Sequence, residues 1–201
     1  MSILFLIHCH TYMSHNRIIV LEDEEIALVV PEMSDLEVMT RGINHLENAK
    51  YIVPDLPHWV MGYKVEEEFL NEMISKSQKH SFMIMLKNTE GYPIVGSLGL
   101  NNVSVFNRNA VFGILLYGEN TGKWIGARAI TLLLKYAFQY IHLHKVSLWV
   151  RWDNLRAIAC YKSCGFQECG RQREEVWIWD RYEDNVSMEI LRSEWASISQ
   201  K

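Results

Sequence analysis

Several motifs that would place this chain among nucleotide-binding proteins are absent. No G-x-G-x-x-G occurs in its 201 residues, so the dinucleotide-binding fingerprint is missing. The turn from Gly118 to Lys123 is similar to a Walker A loop, but only three residues separate Gly118 from Gly122, where that loop needs four. Trp124 follows the lysine, in place of the Ser or Thr that would bind magnesium. These absences argue against an NTPase and against a dehydrogenase.

An excess of basic residues is absent as well. The chain has 20 Lys and Arg against 24 Asp and Glu, which gives a formal net charge of −4. Binding to nucleic acid phosphates needs a clustered excess of Lys and Arg, so we do not expect a nucleic acid partner. The slight acidity suits a cationic or amine substrate, but the imbalance is too small to identify one.

Cysteine is scarce, and its spacing argues against two common structural uses. The four cysteines are Cys9, Cys160, Cys164 and Cys169, so three of them crowd into one short segment. A secreted disulfide framework would spread its cysteines, and a zinc knuckle would pair them as C-x-x-C. We therefore expect free thiols in a reducing compartment and no bound metal.

Apolar runs long enough to cross a bilayer are also missing. The run at residues 3–7 lacks a leading positive charge and is followed by His8, Cys9 and His10, so it fits a signal peptide poorly. That run could pair at a sheet edge, or Met13 could be the natural start. We predict an N-terminal extension at residues 1–16, one domain at residues 17–201, no membrane partner and a cytoplasmic location.

Hydrophobic periodicity predicts strands and helices in alternation along the rest of the chain. Their order is strand, two helices, three strands, helix, strand, helix and two strands, which indicates one mixed α/β domain. Gly165 is expected to end the last helix in the left-handed conformation. The predicted strands are 26–30, 82–86, 93–100, 110–117, 145–151, 166–179 and 185–191, and the predicted helices run from Ser34 or Asp35 to about 44, then 64–79, 124–143 and 155–164.

Two segments of this order bear on a possible site. Residues 51–62 are expected to form an irregular loop, and residues 180–184 the turn of the last hairpin. The helix at 64–79 is expected to bury its apolar face, which consists of Val65, Phe69, Leu70, Met73 and Ile74.

The turn at residues 118–123 has the features of a phosphate site. Gly118 and Gly122 allow backbone N–H groups to point together, and the N-terminus of the following helix carries a partial positive charge. Lys123 can add a formal positive charge. On these residues alone, an ordinary strand–helix connection that uses glycine for its geometry is an equal alternative.

Asn154 and Tyr161 lie on the helix that follows residues 145–151. They are seven residues apart, almost two helical turns, so their side chains project from nearly the same side. An amide and a phenol beside a phosphate site could together bind an acyl-coenzyme A. The alternatives are that Asn154 is only an N-cap and that Tyr161 is a packed core residue.

Five segments match one known family in order along the chain. They are GILL at 113–116, GKWIGA at 122–127, N-x-x-A-I at 154–158, Y-K-x-x-G-F at 161–166 and D-x-x-x-M-E-I-L at 184–191. Through them the chain resembles the GNAT superfamily of acetyl-CoA-dependent N-acetyltransferases, and most of all its ribosomal-protein N-terminal and spermidine acetyltransferase branch. The resemblance implies a central, mostly antiparallel twisted sheet with one splayed parallel strand pair, flanked by helices.

The same resemblance implies which residues bind acetyl-CoA. The strand at 114–116 would splay from residues 148–150 and expose backbone groups to the acetyl and pantetheine amides. Main-chain N–H groups of residues 121–127 would hold the pyrophosphate, Asn154 would bind the pantetheine arm, and Tyr161 would lie beside the thioester sulfur as the catalytic residue. The implied cofactor-binding residues are Ile114, Leu115, Leu116, Thr121, Gly122, Lys123, Trp124, Gly126, Ala127 and Asn154.

Two positions depart from the family pattern. Trp124 stands where the phosphate loop of the family usually has glycine, so we expect its backbone to be less free. The strand before the splay often carries a glutamate that acts as base or holds a water, but Ala110, Val111 and Phe112 supply none. The resemblance therefore implies acetyl-CoA binding more directly than it implies a path for the proton.

The implied chemistry is direct attack of a neutral primary amine on the thioester. An alkylamine with a pKa of about 10.4 arrives as ammonium and must lose a proton, and the leaving thiolate must gain one. We assign Tyr161 as the general acid and leave the base unassigned. Bulk water could take the proton through a relay, or Glu32, Asp35 or Glu66 could reach the cleft, although most carboxylates on helices are simply solvated.

The acceptor is less defined than the cofactor. We expect a peptide or protein N-terminus, a polyamine or another small amine, in a pocket between residues 51–62, Trp152 and the hairpin turn at 180–184. Trp177 and Trp179 could line it or simply pack the hairpin. A homodimer through the C-terminal strands is a further expectation. The alternative to an enzyme is a non-catalytic acyl-CoA-binding sensor or interaction module, because fold alone does not establish function.

Overall fold

A single open sheet organises the protein, as its computed structural model shows for residues 17–45, 51, 62–75, 80–121, 124–178 and 180–199. Eight strands lie in the order β1-β2-β3-β4-β5-β6-β8-β7. Neighbouring strands are antiparallel except β5 and β6, which are parallel. The strands are β1 (Ile19–Glu22), β2 (Ile26–Val29), β3 (His80–Leu86), β4 (Ile94–Ser104), β5 (Asn109–Leu116), β6 (Lys145–Arg151), β7 (Gln167–Ile178) and β8 (Arg181–Leu191).

Helices cover both faces of this sheet. On one face lie α1 (Leu36–Ile43), which follows a short 3-10 turn at Met33–Asp35, and α2 (Tyr63–Ser75). On the other face lie α3 (Ile125–Lys135) and α4 (Leu155–Ser163), and α5 (Arg192–Ser199) follows β8. No helix in the described ranges is long and apolar enough to cross a membrane.

Strand β5 separates two hydrophobic cores, because side chains of a strand point alternately to its two faces. Ile114 and Leu116 pack into the larger core, which also contains the apolar side of α3. Leu115 and Tyr117 pack into the smaller core under α1 and α2. Full burial of one such side chain stabilises the fold by roughly 1.5–3 kcal/mol, so the alternation determines which helices lie on which side of β5.

The predicted mixed α/β fold with one parallel strand pair is confirmed, and the differences lie at its margins. The prediction lacks β1 and α5, which are short and bury few of their own residues. The helix predicted at 124–143 is α3 followed by a π-helical turn at Tyr136–Tyr140. The turn predicted at 180–184 is wrong, because β8 already begins at Arg181 and its ladder with β7 extends to that residue.

The buried face of α2 also differs from the prediction. Val65, Phe69 and Ile74 are about half exposed, at 50%, 49% and 42%. The predicted burial of Leu70 and Met73 is confirmed, and Glu66 completes the face that meets the core, at the helical spacing i, i+4 and i+7. The predicted extension at residues 1–16 and most of the predicted loop at 51–62 lie outside the described residues.

Candidate functional site

The centre of the site is a gap between the parallel strands β5 and β6. Their pairing runs from Asn109 and Lys145 only to Val111 and Ser147, although both strands continue. On its other edge, β5 stays paired with β4, with Leu98 opposite Ile114 and Ser97 opposite Leu115. The edge of β5 that faces β6 is therefore open to a ligand along residues 112–115, as the predicted splay requires.

The turn after β5 begins with a residue that needs glycine. Gly118 has a φ of +55°, in the left-handed region where a side chain is unfavourable, and it starts a 3-10 turn at Gly118–Asn120. The carbonyl of Tyr117 closes this turn by accepting from the backbone N–H of Asn120 at 3.2 Å and from its side-chain amide at 2.8 Å. Thr121 leaves the turn in extended conformation. The predicted residues Gly122 and Lys123 lie outside the described residues.

Trp124 replaces the usual glycine without backbone strain. Its φ of −57° and ψ of −15° are ordinary right-handed helical values, so the expected restriction of the backbone has no consequence here. The indole is 48% exposed, and the Arg128 guanidinium lies 5.4 Å from the ring centroid. Arg128 also donates to Asp23 at 2.8 Å, which ties the start of α3 to the β1–β2 turn.

The first turn of α3 packs against both β5 and α4. A Cβ added to Gly126 would lie 3.5 Å from Leu116 Cδ1 and 3.8 Å from Cys160 Sγ. The Ala127 carbonyl accepts from the Cys164 thiol at 3.6 Å. The structure thus brings together the end of β5, the N-terminus of α3 and the helix that carries Tyr161.

Asn154 is the N-cap of α4, and the cap uses its side-chain oxygen but not its side-chain NH₂. Its side-chain oxygen accepts from the backbone N–H of Ala157 at 3.3 Å, and its backbone carbonyl accepts from Ile158 at 3.0 Å. Within the described residues, its side-chain NH₂ has no hydrogen-bond partner. The N-cap alternative and a ligand-binding role are therefore compatible, because they use different atoms of the amide.

Tyr161 lies in an aromatic cluster that borders the gap. Its ring packs edge-on to Phe112 at 6.0 Å between centroids, and Phe166 lies 6.1 Å away. Burial, with a further contribution from the thiols of Cys160 and Cys164, raises the pKa of Tyr161 above its ordinary value. The hydroxyl is therefore protonated at neutral pH and can donate a proton. Gly165, with a φ of +96°, ends this helix as predicted.

Three of the four cysteines are described, and all three are free thiols: Cys160, Cys164 and Cys169. Cys160 lies on α4 and Cys164 caps its end one turn later, and a hydrogen bond from Cys164 lowers the pKa of Cys160. Within the described part of the chain, no group of three His, Cys, Asp or Glu side chains is arranged to hold a metal ion.

The side chains expected to wall an acceptor pocket meet at the end of β6. The Arg151 guanidinium lies 4.7 Å from the ring centroid of Tyr51 and makes a two-pronged contact with Asp153, at 2.8 and 2.7 Å. The Trp152 indole N–H donates to Glu183 at 2.5 Å, which brings the β7–β8 hairpin to the same place. This indole and the Arg181 guanidinium hold the pKa of Glu183 below its usual value. The carboxylates here are therefore ionised and already paired.

The three carboxylates considered as bases have different environments. Asp35 is 2% exposed and receives both terminal nitrogens of Arg17, at 2.7 and 2.8 Å. Glu32 is half-buried and also lies near Arg17, at 3.6 Å. Glu66 is 2% exposed, and burial raises the pKa of its carboxyl. The solvation expected of most such carboxylates does not hold for Asp35 and Glu66, because both side chains are buried.

Sequence reasoning overlooked two features of this site. The ion pair between Asp23 and Arg128 joins residues 105 positions apart, and no local pattern predicts it. The burial of Glu66 had a signal, since this carboxylate occupies the first position of an i, i+4, i+7 stripe with Leu70 and Met73.

Comparison with known proteins places the chain in a family. Residues 21–167 match the family described as acetyltransferase (GNAT) domain. The chain is 29% identical to spermidine N(1)-acetyltransferase of Vibrio cholerae over 184 residues, which is 89% of this chain and 99% of that protein. It is 30% identical to spermidine N(1)-acetyltransferase of Escherichia coli over 100 residues, 50% of this chain and 54% of that protein.

A similar structure is known as well. The crystal structure of spermidine N-acetyltransferase from Vibrio cholerae in complex with CoA and spermine superimposes with a TM-score of 0.76 at 28% identity. The superposition covers 87% of this chain and 99% of that one, so the two proteins share their fold over most of their length.

Proposed function

Because this chain belongs to the acetyltransferase (GNAT) domain family and is an acetyl-CoA-dependent N-acetyltransferase, we propose that its acceptor is a primary amine of an aliphatic polyamine. The main support for this proposal is the match to a spermidine N(1)-acetyltransferase over 99% of the length of that protein. The match includes the segments on both sides of the gap between β5 and β6, where cofactor and acceptor must meet.

The residues around the gap fit acetyl-CoA. The open edge of β5 at Ile114, Leu115 and Leu116 is proposed to bind the acetyl and pantetheine amides through main-chain groups, since the pairing with β6 ends at Val111. The side-chain NH₂ of Asn154, which the N-cap does not use, is proposed to bind the pantetheine arm. The pyrophosphate site proposed at the start of α3 consists of backbone N–H groups of Thr121, Gly122, Lys123, Trp124, Gly126 and Ala127.

Tyr161 is proposed as the general acid. Acetyl-CoA, when bound, supplies the thioester carbonyl that the amine attacks. The Tyr161 hydroxyl would give its proton to the departing sulfur, which it can do because its raised pKa keeps it protonated over the working range. The rings of Phe112 and Phe166 hold the phenol in place and exclude water around it.

The proposal is tested by acetyl transfer with purified protein. Thiol release from acetyl-CoA is measured with spermidine, spermine, a short peptide with a free N-terminus and an aminoglycoside, and the product is identified by mass spectrometry. We expect kcat/KM for the polyamines to exceed that for the peptide by at least about 10²-fold, which corresponds to about 2.7 kcal/mol. Faster turnover of the peptide would refute the polyamine assignment.

The same assay addresses the non-catalytic alternative. A sensor would be protected from thermal unfolding by acetyl-CoA but would release no thiol with any amine of the panel. The homodimer, the cytoplasmic location, the absence of nucleic acid and membrane partners and the division at residues 1–16 and 17–201 stay predictions. Sedimentation of the purified protein would test the dimer.

A further inference from the structure

Glu66 is a buried carboxylate that has no counter-ion in the described structure. It lies on the core-facing stripe of α2 with Leu70 and Met73, and its exposure is 2%. Its neighbours Glu67 and Glu68 on the same helix are exposed. A buried carboxylate without a hydrogen-bond donor or a cation is costly, because its charge loses the solvation of water. Within the described residues, no side chain or backbone group hydrogen-bonds to the Glu66 carboxylate.

The other buried or half-buried acids around the site differ from Glu66 in this respect. Each is held by an arginine at hydrogen-bond distance, so its charge is already compensated inside the protein. These pairs are Asp35 with Arg17, Asp153 with Arg151, Asp184 with Arg171 and Glu183 with Arg181. An incoming cation would therefore have to compete with an arginine at any of those carboxylates, but not at Glu66.

Glu66 lies next to the strand that borders the gap. Tyr117 directly follows β5 and packs under α1 and α2. Leu70 and Met73, which share the buried stripe of α2 with Glu66, pack in the same core as Tyr117, and the negative charge of Glu66 adds to burial in raising the pKa of Tyr117. Glu66 is thus placed on the α2 side of β5, close to the residue that follows Leu116.

The gap can be reached from either face of the sheet. On the α3 and α4 side lie the glycine turn, Asn154 and Tyr161, which are proposed for acetyl-CoA. An acceptor must then come to the thioester from the opposite face, where α1 and α2 cover β5. Among the described residues of α2, Glu66 is the carboxylate that is both buried and without an ion pair.

We propose that Glu66 receives the ammonium group of the acceptor and takes its proton before the amine attacks. This inference rests on the proposed function, because it assigns a residue to the acceptor side of that site. It also supplies the proton acceptor that Ala110, Val111 and Phe112 of β5 do not provide. Burial moves the pKa of the Glu66 carboxyl upward, toward the pH at which a general base works best.

The protons and bonds balance in this scheme. Glu66 accepts the first proton from the ammonium and passes it to water. The nitrogen then forms its bond to the acetyl carbon as the carbon–sulfur bond breaks, and Tyr161 gives its proton to the sulfur. The second proton of the nitrogen restores the Tyr161 hydroxyl through solvent. The net change is one ammonium and one thioester converted to one amide, one thiol and one released proton.

The test compares Glu66→Gln with Glu67→Gln, which removes a neighbouring exposed charge from the same helix. For each protein kcat/KM for spermine is measured from pH 6 to 10. The titratable groups packed near Glu66 are Asp35, which Arg17 holds, and Tyr117, which burial keeps protonated. For Glu66→Gln we expect kcat/KM to fall by about 10²–10³-fold near pH 7 and to recover at high pH, where the amine deprotonates without help. Glu67→Gln should match the wild type.

A binding measurement tests the role of Glu66 without depending on turnover. Calorimetry with spermine in the presence of free CoA should show affinity weakened at least tenfold by Glu66→Gln and unchanged by Glu67→Gln. Affinity for acetyl-CoA should be the same in all three proteins. Wild-type kinetics, wild-type pH profile or wild-type spermine affinity in Glu66→Gln would overturn the inference.

The outcomes also separate this inference from the proposed function. If the wild type acetylates the peptide rather than the polyamines, the polyamine proposal fails, and the same two variants are then judged with the peptide as acceptor. If the wild type binds spermine through Glu66 but acetylates no amine, the proposed function fails while the assignment of Glu66 as an ammonium site stands.

Discussion

Replacement of Tyr161 by phenylalanine removes the proposed general acid while it keeps the ring. The ring packs between Phe112 and Phe166, at centroid distances of 6.0 and 6.1 Å, and phenylalanine preserves both contacts. Within the described residues, the hydroxyl has no hydrogen-bond partner in the protein, so its removal leaves no other group unsatisfied. The free energy of unfolding should therefore change by less than about 1 kcal/mol.

The effect on turnover should be much larger than the effect on stability. General acids contribute about 10²–10⁴-fold to a rate. A thiolate, whose thiol has an ordinary pKa of about 8.5, is a better leaving group than an alkoxide, so we expect a rate effect at the lower end of that range. A 10²-fold fall in kcat corresponds to about 2.7 kcal/mol of transition-state stabilisation.

The assay combines thiol release, acetyl-CoA affinity by calorimetry and thermal unfolding. Tyr140→Phe is the matched control, because Tyr140 is 57% exposed and lies outside the aromatic cluster around Tyr161. We expect Tyr161→Phe to lose about 10²-fold in kcat with unchanged affinity and unfolding temperature, and Tyr140→Phe to lose nothing. Full turnover in Tyr161→Phe, or a loss explained wholly by weaker acetyl-CoA binding, would refute the assignment.

Further predictions concern the supports of the site. Asn154→Ala removes the N-cap of α4 and should lower the free energy of unfolding, measured by urea titration, by about 1 kcal/mol. Asn154→Ser keeps an N-cap but removes the side-chain amide, so a change in its affinity for acetyl-CoA is due to the loss of the amide. Gly165→Ala would put a Cβ 2.5 Å from a side-chain carbon of α5 at a φ of +96°, so a loss of about 1–3 kcal/mol is expected, and an unchanged melting curve would contradict it. Asp35→Asn takes from buried Arg17 the carboxylate that holds both of its terminal nitrogens, leaving only the more distant Glu32, and should cost about 3 kcal/mol, part of which Arg17→Met should restore in the double variant. Because burial raises the pKa of Glu66 from 4.5, the stability it contributes is full below pH 4.5 and falls as pH rises through the raised value, and Glu66→Gln should abolish that fall in unfolding free energy measured against pH.

Prediction from sequence worked best for elements whose signals are local. The N-cap at Asn154 and the left-handed Gly165 depend on hydrogen bonds and torsions within a few residues, and both are confirmed. Strand β6 has the bounds that were predicted, 145–151, because its buried residues alternate regularly with the others.

Prediction failed where the apolar pattern was ambiguous. On α2, Val65 and Phe69 were expected to be buried with Leu70, but only Leu70 is, and Glu66 lies inside in their place. Helix periodicity selects a face by its apolar content, and it cannot anticipate a carboxylate that the fold keeps buried. The hairpin turn expected at 180–184 was drawn from polar residues, yet they continue as β8, whose long ladder with β7 supplies their backbone partners.

The sequence alone determined the strand, turn and helix that are proposed to hold acetyl-CoA. The glycines, the helix cap and the phenol can be recognised there because their roles depend on residues close to them in the chain. Only the tertiary structure decided that β5 parts from β6 after Val111 and that Asp35 and Glu66 are buried. It also decided which carboxylates have a cation, since partners such as Arg17 and Asp35 lie 18 positions apart. Burial and pairing of charges depend on segments that meet only after folding, and for that reason the proposed acceptor side of the site had to be found in space.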